Sequence, residues 1–214
     1  FFYGKFSLII KALLKKKKFN KSYQNLEKII LKQKYILNKN SIKIDINSND
    51  KYKIKKFYLN IFKKKYYFYS NEWNNKNQYS DIELYFYKIR FNWLFFDNNH
   101  ISIKQKIDLI NSFILHYNYI EVDSYSVGER VSNWIMFLQT NKKHLSLHNK
   151  NLFEQSIKKQ IILLINNLEF HKEKTNNHLF SNTKAIFLYS IYFESYEFLT
   201  LCRGLFNFLN QHIF

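Results

Sequence analysis

"SIKQKIDLINSFILHYNYI", residues 102–120, decides the fold class. Ile103, Ile107, Ile110, Ile114 and Tyr117 follow one another at steps of four and three. That spacing lays an apolar stripe along one face of an α-helix. The same period recurs downstream. "SVGERVSNWIMFL" (126–138) aligns Val127, Val131, Trp134 and Leu138, and "LFEQSIKKQIILLINNLEF" (152–170) aligns Phe153, Ile157, Ile161, Leu164 and Leu168. Two more helices are expected at about 177–194 and 196–213. Upstream, "DIELYFYKIRFNWLFF" (81–96) has the helical period but is too apolar and aromatic for a surface helix. Short polar breaks separate these segments, so neighbours should pack antiparallel. No strict repeat is present. A bundle, a solenoid and an α/α toroid all satisfy this pattern.

The first 70 residues read differently. Residues 5–37 form two helical stretches around "FNKS" (19–22), and the second puts Leu26, Ile29, Ile30 and Ile36 near one face. "SIKIDI" (41–46) alternates strictly and "KYKIKKFYLNIF" (51–62) partly, which predicts one or two short strands or an extended loop near 40–60. "YSNEWNNKNQYS" (69–80) reads as a polar loop around Trp73. The expected organisation is a helical and extended lead-in over 1–70, then an all-α region over 71–214.

Composition excludes several classes. The chain has 214 residues, 46% of them hydrophobic, so a packed core is expected and disorder is not. The net charge of +18 would suit a nucleic-acid partner. Three features argue otherwise. Arg occurs only at Arg90, Arg130 and Arg203, Lys is spread along the chain, and no nucleic-acid-binding motif is present. Lys, Asn, Ile, Phe and Tyr, which A/T-rich codons encode, are abundant, while Pro is absent and Gly occurs 3 times. Codon bias therefore accounts for the charge. Cys202 is the single cysteine, which rules out a disulfide within the chain. No segment offers the ~20 nearly uninterrupted apolar residues of a membrane-spanning helix, so no integral membrane segment is expected. "FSLIIKALLKKKKF" (6–19) runs apolar then cationic, the reverse of a signal peptide. The chain starts at Phe1 and ends at Phe214 inside an apolar helical pattern, which reads as a piece of a longer gene product. Phosphate-cradling glycine motifs and the nucleophile elbow are missing. His144 and His148 are four apart in what reads as a polar loop, and no other spacing suits zinc. Neither metal nor cofactor is expected.

Three clusters could carry chemistry. In "EKTNNHLFSNTKAIFLYS" (173–190), Thr175 or Asn176 is a good N-cap, and polar groups crowd the mouth of a helix that is apolar nearly all round beyond Ala185. Asn177, Ser181 and Lys184 share one stripe, and His178 and Asn182 another. A helix N-terminus favours a carboxylate. The plainer reading is a cap and a solvated first turn, which is the commoner occurrence. In "DSYSVGERVSNWIMFL" (123–138), Arg130 can bind a carboxylate bidentately and Trp134 can stack on a sugar ring. Their alternative is a surface Arg and a core Trp. The third cluster, "YFYKIRFNWLFF" (85–96), holds Arg90, Asn92 and Trp93 among aromatics that are more often core than cleft.

Together, in this order, the segments resemble the N-terminal region of the heparinase II/III family, especially members from bacterial cell-surface polysaccharide gene clusters. "NEWNN" with "LYFYKIRFNWL" is similar to the family's Trp loop and the aromatic helix after it. "YSVGERVSNWI" resembles its Tyr-Pro-x-Ser-x-Arg-x-x-Asn-Trp-Ile segment, and "SIKKQIILLINNLE" its Ser-Leu-x-x-Gln helix ending in Leu-Glu. "NHLFSNTKAIFLYSIYF" is similar to Asn-His-Leu-x-x-Asn-x-Lys-Ala-Leu, the most specific match. The resemblance spans the chain, weakly before about residue 70.

The resemblance implies an α/α toroid followed by a β-sandwich. Here the toroid would be incomplete and the β-sandwich absent. It also implies a polysaccharide lyase that cleaves uronic-acid-containing glycans by β-elimination, with an acidic polysaccharide or oligosaccharide as partner and a periplasmic location. By motif match, Asn177 would neutralise the uronate carboxylate with His178 beside it, and Asn182 and Lys184 would support them. Tyr125, Arg130, Asn133 and Trp134 would shape the sugar cleft, with Arg90 and Trp93 contributing from the aromatic segment. The chain departs from the family at Tyr125-Ser126-Val127-Gly128, which lacks the Pro and Ser, and at Arg90, where a His is usual. The proton-abstracting Tyr of the family falls beyond Phe214, so this piece alone is expected to be inactive. The alternative is a non-catalytic glycan-binding or cell-surface polysaccharide assembly protein on the same fold.

Overall fold

Ser and Asp side chains start four of the helices. In the computed structural model, which describes residues 24–34, 56–61, 64–76, 79, 81–95, 101–117, 123–170 and 177–212, helix α1 covers 24–34. A hairpin follows, of β1 (Lys56–Ile61) and β2 (Lys64–Tyr69). The remaining helices are α2 (Ile82–Ile89), α3 (Ile103–His116), α4 (Ser124–Thr140), α5 (Leu147–Asn166), α6 (Asn177–Tyr192) and α7 (Tyr196–His212). Asp81, Ser102, Asp123 and Ser146 each accept a backbone N–H in the first turn of α2, α3, α4 and α5. Each cap satisfies donors that the helix itself leaves open. Ser102 and Gln105 complete a reciprocal capping box. The fold is mainly helical, as the periodicity predicts.

Contacts between helices set their directions. Arg130 meets Gln160 and Trp134 meets Phe153, so α4 and α5 are antiparallel. Glu169, just past the end of α5, meets His178 at the start of α6, and Tyr192 at the end of α6 meets Glu154 in the first half of α5, so α5 and α6 are antiparallel too. Helices α4 and α6 are therefore parallel, and their N-termini lie at the same end. The stripes read from sequence face inward: Ile107, Ile110, Ile114, Val127, Val131, Trp134, Leu138, Phe153, Ile157, Ile161 and Leu164 are all buried. The lead-in packs onto this body. Lys34 Nζ donates to the Asn166 carbonyl at 2.9 Å, and Leu26 lies against Gly204 of α7. No helix among the described residues is long and apolar enough to cross a membrane.

Three features differ from the sequence reading. The expected helix over 81–96 stops at Ile89, and a 3-10 turn covers Asn92–Phe95. Between them Phe91 has φ 59, a left-handed conformation that L-residues adopt at a cost of ~1–2 kcal/mol. The cause is packing. The turn buries the Phe91 ring completely, stacked on Trp73 at 5.3 Å and edge-on to Phe113 and Trp134, each at 5.2 Å. Second, β2 is a strand although "KKYYFY" does not alternate. Pairing with β1 imposes alternation, so Phe57, Leu59 and Phe68 face the core beside Trp73. Third, His148 lies in the first turn of α5, and His144 closes a 3-10 turn, rather than both lying in a loop. Among the described residues no group of three potential ligands could hold a metal. "SIKIDI", the first helical stretch and Ile36 lie outside the described residues.

Lys88 fastens the hairpin and the Trp73 turn to α2. Its side chain is buried, and Nζ donates to the Glu72 carbonyl at 2.7 Å. The ring centroids of Tyr79, Phe68, Tyr85 and Trp73 lie 4.9, 5.4, 5.5 and 5.6 Å from that nitrogen. Ring faces attract a cation. Burial nevertheless lowers the Lys88 pKa from 10.5 to about 7, with the Glu72 charge opposing the shift.

Two outcomes follow. Phe91→Ala removes a fully buried ring and should destabilise by ~3–5 kcal/mol, but Phe91→Gly should be the more stable of the two because glycine adopts φ 59 without strain. Denaturant unfolding of both variants reads this order. For Lys88, the unfolded chain binds more protons than the folded one between about pH 7 and 10.5, so stability should rise with pH across that window. Unfolding measured at pH 7 and pH 9 should show that rise, and Lys88→Met should remove it.

Candidate functional site

Four helix ends bring polar side chains to one corner. Arg90 follows the end of α2, Asp123 to Ser126 open α4, Glu169 follows the end of α5, and Asn177 and His178 open α6. The parallel course of α4 and α6 puts their starts side by side.

His178 is the most constrained group here. Its Nδ1 lies 2.8 Å from Glu169 Oε2. A carboxylate only accepts, so the ring carries its proton on Nδ1 and Nε2 is the basic nitrogen of the neutral ring. The other Glu169 oxygen accepts from Ser124 Oγ at 2.7 Å, and Ser124 Oγ accepts from Asn182 Nδ2 at 3.3 Å. The donation by Ser124 fixes the Asn182 amide with its nitrogen toward Ser124. Asn182 is fully buried, and its Oδ1 has no hydrogen-bond partner among the described residues. That oxygen faces Gly128, where an added Cβ would lie only 2.7 Å from it.

A stack of planar groups holds the imidazole from the side. The Tyr125 ring lies parallel to His178 at 4.7 Å, inclined by 16°. The Arg90 guanidinium sits 4.5 Å from the Tyr125 centroid and 4.7 Å from that of Phe86. Arg90 Nε donates to Ser126 Oγ at 2.9 Å, Nη1 donates to Glu83 at 3.2 Å, and Nη2 lies 3.8 Å from Asp123. Asp123 also caps α4 through the Tyr125 and Ser126 N–H groups. Asn177, which precedes His178 at the start of α6, is exposed. Next to it, Lys184 and Ser181 both donate to Glu129, Lys184 at 2.7 Å.

The structure thus gathers five of the residues singled out from sequence: Arg90, Tyr125, Asn177, His178 and Asn182. Tyr125 offers no open face for a sugar, because Arg90 and His178 cover the ring. Lys184 stands beside the group, paired to Glu129. The other four lie inward. Trp93 and Trp134 are 0% exposed. Arg130 is 1% exposed, bonded to Gln160 at 2.5 Å and to the Ile89 carbonyl at 2.9 Å, with Phe113 4.7 Å from its guanidinium. Asn133 donates to the Arg90 carbonyl at 2.8 Å and to Asn92 Oδ1 at 2.9 Å, tying off the end of α2. The expected caps Thr175 and Asn176 lie outside the described residues.

Sequence reasoning missed Glu169, Ser124, Asp123 and Glu129. Glu169 is nine residues from His178 across a break between helices, where no period applies. The Leu-Glu ending of its helix was the one available sign. Cys202 is no nucleophile: burial pushes its thiol up to about 11. A cavity of about 490 Å³ lies at the other end of α4 and α6, lined by Leu138, Leu145, Lys150, Glu154 and Tyr192 among others, and no member of the cluster contributes to it.

No protein-family model matches the chain, and neither a curated protein nor a solved structure does.

The contact between α4 and α6 gives a direct check. Gly128→Ala forces a methyl group against Asn182 and should destabilise by about 1–2 kcal/mol, the overpacking outweighing the helix propensity gained. Asn182→Ala in that background should recover most of the loss. Two additive losses in a double-mutant cycle would show that the two positions do not touch.

Proposed function

We propose that this corner is one wall of a polysaccharide lyase site on an incomplete α/α toroid, acting on uronic-acid-containing glycans in the periplasm. The observation that carries the reading is the pairing of exposed Asn177 with a His178 ring whose tautomer and plane are both fixed, by Glu169 and by Tyr125. Fixed donors aimed at a developing charge are the largest source of rate in such reactions. In β-elimination a base removes the C5 proton, the electron pair forms the C4–C5 double bond, and the C4–O bond breaks. A proton then reaches the leaving oxygen. Removal of the C5 proton is slow while the adjacent carboxylate keeps its charge. The Asn177 amide would hydrogen-bond that carboxylate, and His178 would contribute from the same side. Glu169 is a positioning residue that acts through His178. By the family resemblance, the base would be a tyrosine outside this corner.

A second reading has its own observation. Arg90 faces Glu83 and Asp123, and Lys184 is held by Glu129, so these two cations, of the described residues, already meet carboxylates. Such a corner suits a glycan-binding or polysaccharide assembly protein that does no chemistry.

Turnover separates the readings. The full-length gene product is mixed with polyuronates and followed by the ultraviolet absorbance of the unsaturated uronate. The lyase reading expects product, its loss in Asn177→Ala with unfolding unchanged, and a fall on the order of 10²-fold in Glu169→Gln. Full activity in Asn177→Ala would remove its assigned role. Absence of product from every polyuronate would favour the second reading.

A further inference from the structure

The hairpin has two unlike faces. Its register sends Phe57, Leu59 and Phe68 inward, where they are buried, and sends Lys56, Tyr58, Lys65, Tyr67 and Tyr69 to the opposite face. On that outer face Tyr67 is 54% exposed and Tyr69 44%. The contacts across it are diagonal between strands: Lys56 Nζ lies 4.9 Å from the Tyr67 ring centroid, and Lys65 Nζ 5.1 Å from that of Tyr58. Tyr58 and Tyr67 themselves stand 5.9 Å apart, inclined by 49°. These five positions carry three phenols, two ammonium groups and no carboxylate. Glu72, which follows β2, is turned to the Tyr69 N–H at 3.0 Å.

We propose that this face is a second binding surface for an acidic polysaccharide, holding a stretch of the chain that is not being cleaved. The choice of glycan rests on the lyase reading above; the surface itself is independent of the His178 corner. A pyranose ring presents a patch of C–H groups that packs on an aromatic face, and its carboxylate pairs with a nearby ammonium. Tyr rings beside Lys side chains offer both at once, and the cation–π contacts hold the rings and charges in a fixed relation. Single-stranded nucleic acid fits less well. The two central rings are tilted rather than parallel, so successive bases would find no common platform. None of the five is Arg, whose planar fork suits phosphate.

The test is binding by the 214-residue chain in the Asn177→Ala, His178→Ala background, so that the corner at α6 adds nothing. The probes are uronic-acid hexasaccharides, a neutral glucan hexasaccharide and a single-stranded oligothymidylate. The expected result is uronate binding that weakens with salt, no binding of the neutral glucan, and about tenfold weaker uronate binding in Tyr67→Ala. Lys56→Gln with Lys65→Gln should flatten the salt dependence while far-ultraviolet circular dichroism is unchanged, which covers the case in which Tyr67→Ala disturbs the hairpin. Uronate binding untouched by either change overturns the proposal. So does equal binding of the neutral glucan, or tighter binding of oligothymidylate through the same residues. The two readings can fail separately. Uronates bound at the hairpin but never cleaved by the full-length product leave this surface standing and remove the lyase. Uronates cleaved while the hairpin variants bind as the parent does the opposite.

Discussion

Phe91 in its left-handed conformation is the constraint on which the rest of the structure turns. The backbone there costs ~1–2 kcal/mol, while full burial of a Phe ring stabilises by ~1.5–3 kcal/mol, and each edge-on or stacked partner adds ~0.5–1.5 kcal/mol. With Trp73, Trp93, Phe113 and Trp134 all within ring contact, packing wins. The turn at Phe91 ends α2, joins the hairpin loop to α3 and α4, and fixes where Arg90 points.

Core and corner are therefore one mechanical unit. The Arg90 carbonyl is held by Asn133 and the Ile89 carbonyl by Arg130, both from α4. The same helix supplies Ser124, Tyr125 and Ser126 to the corner, and Gly128 lets α6 approach closely enough for Asn182 to reach Ser124. Arg130 and Asn133 thus contribute here by setting the positions of others. The carboxylates behave alike: Glu169, Asp123 and Glu129 each orient a donor rather than standing open to solvent.

Legibility followed the range of each interaction. The helices α3 to α7 were readable because an apolar stripe is a local property, repeated every three or four residues. The break at Phe91 was not, since residues 81–96 keep the helical period through it and only distant rings make the strained turn favourable. Strand β2 was hidden for a related reason: "KKYYFY" acquires two distinct faces only through pairing with β1. At the corner, the Asn177-His178 pair stood out as polar residues at the mouth of an apolar helix. Glu169 did not, because its tie to His178 spans the connection between α5 and α6.

By itself, the sequence determined that the chain would be mainly helical, which faces of α3, α4 and α5 would be apolar, and where polar groups would interrupt them. These follow from periodicity and side-chain chemistry. Only the tertiary structure decided that Trp134 and Arg130 would lie inside while Asn177 stayed exposed. It also decided that the Tyr125 ring would be covered on both faces, and that His178 would carry its proton on Nδ1. Each of these depends on which helix end meets which, and that is set by the packing of residues far apart in the chain around one buried aromatic cluster.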